Sequence, residues 1–392
     1  MNSEDAISAR VAIACGGTGG HLFPGLAVAA ELQNRGATVT LLVSPKDIDQ
    51  LALKTAPGFR ATSLPAVGLT GGNGFAFVRG FWRSLGAARR LFNTESPEAV
   101  LAMGGFTSAP PMLAGKLRGA ALFLHESNAI PGRANRWLSR IVNQAFVGFG
   151  EAVPRLHARS SKITGTPVRP QFKTMSPAEC RVALGLDPNQ PVLLVTGGSQ
   201  GATGLNDLIL GALPILVRRM PGLQLFHLAG PRDQSRVEAA CKSSGIRAVV
   251  HGFFPDVHLA LGAATAVVSR AGASSLAELS AMQTPAILVP YPSATDNHQY
   301  YNALAFEKTG AALLLIQSQS TPESVAAKIC ALLENPPALT AMSHAMRQWH
   351  APQAAESIAE SILRTVSLHR RAGAHAPAPA AASSHLHQSA RT

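Results

Sequence analysis

Cys15-Gly16-Gly17-Thr18-Gly19-Gly20-His21 is the stretch on which the reading of the chain turns. It follows a short apolar run, Val11 to Ala14, with the composition of a buried strand. It precedes Leu22 to Asn34, in which Leu22, Phe23, Leu26, Ala27, Ala30 and Leu32 fit helical spacing. Pro24 is tolerable in a first helical turn, and Gly36 stands where a helix commonly stops. The spacing predicts strand, glycine turn, helix. Four glycines in five positions, 16 to 20, let the backbone approach a ligand closely, and the N–H groups of a helix start attract an anion such as a diphosphate. His21 stands at the mouth of that turn. Tight packing alone accounts for some such turns, and this one is not the dinucleotide fingerprint G-x-G-x-x-G.

Outward from this unit, strand-like runs alternate with helix-like ones: Thr38–Val43, Ala99–Met103, Ala121–Leu124, Val192–Thr196, Gln224–Leu228, Ala248–His251, Ala266–Ser269 and Ala286–Val289. Many are apolar at successive positions, as strands covered on both faces are, which implies parallel sheets with crossover helices. After Val192–Thr196 the opening design restarts with Gly197-Gly198-Ser199-Gln200-Gly201-Ala202. Between the two units, Gly165-Thr166-Pro167-Val168-Arg169-Pro170 reads as an interdomain linker. The expected architecture is two Rossmann-like doubly wound α/β domains facing across a cleft at their strand C-terminal ends. The expected divisions are a disordered 1–9, domains over 10–166 and 167–353, a final helix over 354–368 and a disordered tail over 369–392, rich in Ala, Pro, His and Ser.

The 392 residues suffice for two domains with ample core, and 46% apolar against 14% charged residues describes a globular chain. Cys15, Cys180, Cys241 and Cys330 are scattered without a Cys-x-x-Cys pair, which argues against a disulfide framework or zinc site and suits a reducing compartment. The N-terminus carries Glu4 and Asp5 and lacks a signal-like apolar region; no uninterrupted apolar run is long enough to span a bilayer. A net charge of +12 points to nucleic acid or an anionic membrane surface. The charge is uneven. From Gln50 to Thr94 there is no Asp or Glu, but there are Lys54, Arg60, Arg79, Arg83, Arg89 and Arg90.

Five motifs occur in order: Gly17-Thr18-Gly19-Gly20-His21-Leu22-Phe23-Pro24-Gly25-Leu26-Ala27, Met103-Gly104-Gly105-Phe106, His125-Glu126-Ser127-Asn128, Gly197-Gly198-Ser199-Gln200-Gly201-Ala202, and Asp296-Asn297-His298-Gln299 through Asn302-Ala303. As a set, over roughly Val11 to Leu368, they closely resemble the MurG family of bacterial peptidoglycan enzymes. These are the UDP-N-acetylglucosamine transferases that convert lipid I to lipid II. The resemblance implies a GT-B fold, with the acceptor on the N-terminal domain and the donor mainly on the C-terminal one. Ser127 and Phe106 stand where many relatives carry Gln and some carry Tyr.

The resemblance assigns Thr18, Gly19 and Gly20 to the diphosphate and the acceptor phosphate, Asn128 and Arg169 to the donor, and Ser199 to the diphosphate or sugar. It assigns the backbone of Phe254 to the uracil, and Ala273, Ser274, Ser275, Leu276, Ala277 and Glu278 to the donor, with Glu278 on the ribose hydroxyls. Gln299 falls to the transferred sugar. Each assignment has a plainer competitor. Asn128 can cap a helix, Arg169 can be a solvated hinge charge, the Phe254 ring can be core, and Ser275-x-x-Glu278 reads as a capping box. The family's beta-linked product from an alpha-linked donor requires one direct displacement, hence a base but no covalent nucleophile. His21 is the base candidate, because an unperturbed imidazole titrates at about 6.5. Helix N-termini and Arg169 would meet the charge of the departing diphosphate, so no obligatory metal and no cofactor is expected.

A lipid-linked acceptor assigns the positive charge to a membrane surface rather than nucleic acid. Phe75, Phe77, Arg79, Phe81, Trp82, Arg83, Arg89 and Arg90 are the candidate contact: on a helix from about Val78, Phe81, Trp82, Leu85 and Phe92 fall largely on one side, with arginines on an adjoining one. The implied place is the cytoplasmic face of the bacterial membrane, bound peripherally. The alternative readings are a UDP-sugar epimerase of the same fold, an NAD-dependent oxidoreductase and a non-enzymatic sugar-nucleotide sensor. Against the oxidoreductase, Val43-Ser44-Pro45 stands where that class carries an acid.

Overall fold

The computed structural model describes residues 8–46, 49–50, 58–65, 74–198 and 200–374. Ser199 therefore lies outside the described residues, as does the tail beyond residue 374.

The opening unit forms as the spacing predicts. Strand β1 (Arg10–Ala14) runs into helix α1 (Gly19–Asn34). The helix begins inside the glycine turn, three residues before Leu22, so Pro24 sits within it rather than in its first turn. Strands β2 (Thr38–Val43) and β3 (Arg60–Ser63) follow, then helix α2 (Gly74–Glu95), β4 (Ala99–Ala102), α3 (Ala109–Leu117), β5 (Ala121–Glu126), α4 (Arg133–Leu138), β6 (Gln144–Val147) and β7 (Ser161–Ile163). The seven strands form one parallel sheet in the order β3-β2-β1-β4-β5-β6-β7. The central strands β1, β4 and β5 are buried almost throughout, as two-sided cover by helices requires.

After α5 (Pro177–Ala183) a second parallel sheet is built from β8 (Val192–Thr196), α6 (Thr203–Arg219), β9 (Gln224–Leu228), α7 (Gln234–Ser244), β10 (Arg247–His251), α8 (Val257–Ala263), β11 (Ala266–Ser269), α9 (Ala273–Met282), β12 (Ala286–Leu288), α10 (His298–Lys308) and β13 (Ala312–Leu314). Its strand order is β10-β9-β8-β11-β12-β13. Helices α11 (Pro322–Leu333) and α12 (Pro336–Arg347) complete this half.

The last helix, α13 (Ala354–Ala374), runs six residues past the expected end at Leu368. It returns to the first half, where Ile358, Ala359, Ile362 and Val366 are buried in one cluster with β1, β2 and α1 residues. Arg370, expected in a disordered tail, donates to both carboxylate oxygens of Glu98 at 2.6 and 2.8 Å. Its turn of helix is held by that pair, which a compositional reading of the tail does not register.

Both sheets reverse strand order beside their first strand: β1 lies between β2 and β4, and β8 between β9 and β11. Ligand crevices in open parallel sheets open at such points, beyond the strand C-terminal ends. Both glycine turns stand there.

Candidate active site

The first turn is held from behind. Asp49, buried, accepts from the Gly17 N–H at 2.7 Å and from the Ser44 N–H at 3.0 Å, and Lys46 donates to the Gly17 carbonyl at 3.2 Å. The Gly17 N–H is thus engaged by the protein, which leaves the first-turn N–H groups of α1, at Gly19 and Gly20, to meet an anion. The acid missing from the end of β2 in sequence is supplied six residues on from Val43, but it serves the turn itself. Gly16 lies against β2 so closely that a Cβ there would sit 2.4 Å from the Ser44 nitrogen.

His21 is fixed on two sides. Its Nδ1 lies 3.1 Å from the Thr18 hydroxyl, and its ring lies flat on the turn after β4. Gly104 there has φ 118°, and any side chain at that position would come within 2.8 Å of His21 Nε2. Burial pushes the imidazole down to about 4; nearby Asp49 opposes this, and His298 and Lys46 add to it. His21 is therefore neutral at physiological pH, with a lone pair to receive a proton, but it is a weaker base than the unperturbed imidazole that made it the candidate.

Pro24 links the two halves. It has no N–H to give the Gly20 carbonyl four residues earlier. That carbonyl instead accepts the Ser274 hydroxyl, from the start of α9, at 2.8 Å. The starts of α1 and α9 thus meet across the cleft, so both sets of first-turn N–H groups converge on one volume.

On the α9 side, Gly272 is the N-cap and Ser275 is already helical, so no capping box forms with Glu278. The carboxylate turns instead to Arg169, 3.5 Å away. Burial pushes Glu278 up to about 7 despite that arginine. Arg169 is no solvated hinge charge. Its guanidinium stacks over Phe23 at 4.1 Å and Phe172 at 4.9 Å, and its buried Nε has no partner. An unpaired buried donor beside a ligand crevice is suited to a phosphate or hydroxyl oxygen.

Asn128 does not cap a helix. Its N–H and side-chain amide both donate to Glu126 Oε1, at 2.9 and 3.0 Å, while Gly132 N–H and Asn135 hold Glu126 Oε2 at 2.9 Å each. Its amide oxygen accepts from Asn302 at 3.0 Å, and Asn302 also reaches the Ala271 carbonyl at 3.1 Å. Gln299 accepts from the Tyr291 N–H at 3.0 Å, which leaves its NH₂ group to offer a hydroxyl. The Phe254 ring stacks on His251 and meets Phe226 edge-on, so the ring is a wall.

Sequence reasoning missed Glu126, Asn302 and Asp49 as organisers of the site; Glu126 and Asn302 stand inside two of the five motifs, which was the available signal, and Asp49 stands in none. It also missed Arg270, which holds the Val289 and Pro290 carbonyls at 3.1 Å each and Gln317 at 2.7 Å behind the second turn.

On α2, Phe75, Val78 and Trp82 are exposed at 79, 51 and 64%, and Arg79, Arg83, Arg89 and Arg90 are exposed as well. The expected single apolar face is split. Leu85 and Phe92 are buried in the core, and Phe77 and Phe81 are half-buried beside Phe106 and Thr107. Thr107 in turn donates to the Gly16 carbonyl at 2.8 Å, so this helix abuts the glycine turn.

Two parallel-sheet domains opposed through their switch points, with a neutral histidine and helix starts between them, define a GT-B glycosyltransferase. Models of the glycosyltransferase family 28 N-terminal and C-terminal domains match residues 11–147 and 192–361. The chain belongs to the MurG family within that group. It is 38% identical over 366 residues to the UDP-N-acetylglucosamine–N-acetylmuramyl-(pentapeptide) pyrophosphoryl-undecaprenol N-acetylglucosamine transferase of Desulforudis audaxviator, covering 90% of this chain and 97% of that one. The enzyme of the same name from Alkalilimnicola ehrlichii is 36% identical, with 90% and 98% covered. Among solved structures, MurG of Acinetobacter baumannii superposes with a TM-score of 0.70 at 28% identity, covering 91% of this chain and 99% of that one. A UDP-N-acetylglucosamine 2-epimerase, at 16% identity and a TM-score of 0.65 over 95% and 99%, shares the fold alone.

Proposed function

We propose that the protein transfers N-acetylglucosamine from UDP-N-acetylglucosamine to the muramoyl sugar of undecaprenyl-pyrophosphoryl-N-acetylmuramoyl-pentapeptide, lipid I, forming lipid II in peptidoglycan synthesis. The observation that carries this reading is the junction of the α1 and α9 starts, Ser274 on Gly20, in a chain whose relatives bear that name.

The donor diphosphate is received by the first-turn N–H groups of α9, from Ala273 to Ser275, with Thr18, Gly19 and Gly20 opposite and Ser199 from the second turn. Glu278 accepts from the ribose hydroxyls once the nucleotide draws it from Arg169, and Arg169 then has its fork for phosphate. The backbone at Phe254 reads the uracil, and Leu276 and Ala277 complete that wall. Asn128 and Gln299 offer amides to the sugar.

The acceptor hydroxyl oxygen attacks the anomeric carbon as the bond from that carbon to the diphosphate oxygen breaks. The proton passes to His21, and UDP leaves with the bonding electrons. One displacement inverts the anomeric centre. The growing charge on the diphosphate faces helix starts and Arg169, so the reaction as drawn assigns no step to a metal or cofactor.

The acceptor is reached at an anionic membrane surface through α2. No described helix is long and apolar enough to cross a membrane. Phe75, Val78 and Trp82 enter the interface, Phe77 and Phe81 back them, and Arg79, Arg83, Arg89 and Arg90 meet lipid phosphates. We place this at the cytoplasmic face, where the sugar nucleotide is made.

Incubation with radiolabelled UDP-N-acetylglucosamine and a water-soluble lipid I analogue tests the whole. Label in a disaccharide product is expected; label in free sugar or an epimerised nucleotide, or no turnover, contradicts it.

A further inference from the structure

Asp296 belongs to a turn that the backbone alone does not favour. Asp296 and Asn297 lie consecutively in the left-handed region, at φ 52° and 53°. Asp and Asn tolerate that region better than other side-chain-bearing residues, but such conformations cost energy and persist where the surroundings enforce them. The Asn297 N–H donates to the Ala294 carbonyl at 2.9 Å and His298 Nδ1 lies 2.8 Å from the Thr295 carbonyl, and the opposite domain adds to this local hold. Arg136, on α4, donates to Asp296 Oδ2 at 2.7 Å, and an Arg133 guanidinium nitrogen lies 3.6 Å from Oδ1. The residue after the strained pair, His298, begins α10, and Gln299 is next. One turn on, Asn302 ties the same helix to Asn128 across the cleft. The start of α10 is therefore held to the N-terminal half at two points that bracket Gln299.

We propose that Asp296 is a positioning residue: its clasp by Arg133 and Arg136 sets the start of α10, and with it Gln299, over the cleft when the two domains are closed. This rests on the reading of the cleft as a site of sugar transfer. The side chains of Asp296, Arg136 and Arg133 are 30, 42 and 79% exposed. A hydrated clasp of this kind is weak and salt-sensitive, so it can open at each turnover to admit donor and release UDP.

The test compares the parent with Asp296→Asn, which removes the charge and keeps the tolerance of the left-handed region, with Arg133→Ala/Arg136→Ala, and with the triple variant. Transfer to a water-soluble lipid I analogue is followed as kcat and KM. In parallel, spin labels at Lys116→Cys and Lys242→Cys, one exposed site per domain, report interdomain distances; the four native cysteines are buried. Each removal is expected to lower kcat/KM about 1.5- to 5-fold. The triple variant should be no worse than the single-sided ones. The distance distribution should broaden wherever the clasp is cut. Losses that add in the triple variant, no loss at all, or an unchanged distance distribution would overturn the proposal. A parent that transfers no sugar refutes the reading of the reaction instead, and the distance measurement still judges the clasp by itself.

Discussion

Two titrating residues give opposite signatures at the scale of single side chains. His21 is held neutral down to about pH 4 by burial. If it is the base, its protonation should not limit turnover from pH 8 down to about 5. His21→Ala should lower kcat by about 10²- to 10⁴-fold while leaving donor affinity nearly intact, as calorimetry and steady-state kinetics will show. Glu278, pushed up to about 7, ionises across the physiological range. Donor affinity should therefore rise between pH 6 and 8, and Glu278→Gln should flatten that rise. Glu278→Ala should weaken binding by about 1.5–3 kcal/mol, read by titration calorimetry. An affinity unchanged alongside a lowered melting temperature would return Glu278 to a structural role. His21, Arg169 and Glu278 were legible in sequence because each sits inside a compact motif. The pairings between such residues were not: Gly104 lies 83 positions from His21, Glu278 109 from Arg169 and Asn302 174 from Asn128, and no local pattern encodes them.

The elements most exposed to error were short strands, most of them at an edge. The interior strands β1, β4, β8 and β11 read directly from their apolar runs, as did the edge strand β10, but interior β6 and the edges β3, β7 and β13 did not. Edge strands carry polar or exposed residues, as Arg60-Ala-Thr-Ser and Ser161-Lys-Ile do, and three or four residues give too little period to detect. The same limit affected α2. Its apolar residues were visible, but which of them face the core depends on α3 and the sheet beneath. The exposed set now defines a sharper prediction. Replacing Arg79, Arg83, Arg89 and Arg90 by Gln removes about 1 kcal/mol per arginine of attraction to an anionic surface. Co-sedimentation with anionic vesicles at physiological salt should be lost, while transfer to a water-soluble acceptor should persist. Retained sedimentation would remove α2 as the membrane contact.

Across the whole molecule, the two halves are joined by more than a linker. The return of α13 onto the first sheet buries Ile362 completely, and Ile362→Ala should cost about 2–5 kcal/mol in denaturant unfolding. Three histidines, the half-buried His21 and the buried His125 and His227, are each pushed from 6.5 down to about 4 by desolvation. Unfolded, they take up protons as pH falls below about 6.5; folded, they do not until about 4, so stability falls over that window. Glu278 acts in the opposite sense, since its raised value stabilises the fold below 4.5 and this is lost as pH rises towards 7. By themselves these three groups against one leave a net loss of up to about 3 kcal/mol per pH unit on acidification from 6.5 to 4.5, and His258 and His350, also pushed down by burial, add to it; the loss is measurable as a falling melting temperature.

The central claim is that one displacement, in the cleft where the starts of α1 and α9 meet, moves the sugar to its acceptor. The anomeric configuration of the disaccharide made from UDP-N-acetylglucosamine and a lipid I analogue, determined by proton NMR on the isolated product, tests it most directly. A beta linkage is predicted. An alpha linkage would mean retention, by a covalent or front-face route in place of one displacement, and would contradict the account.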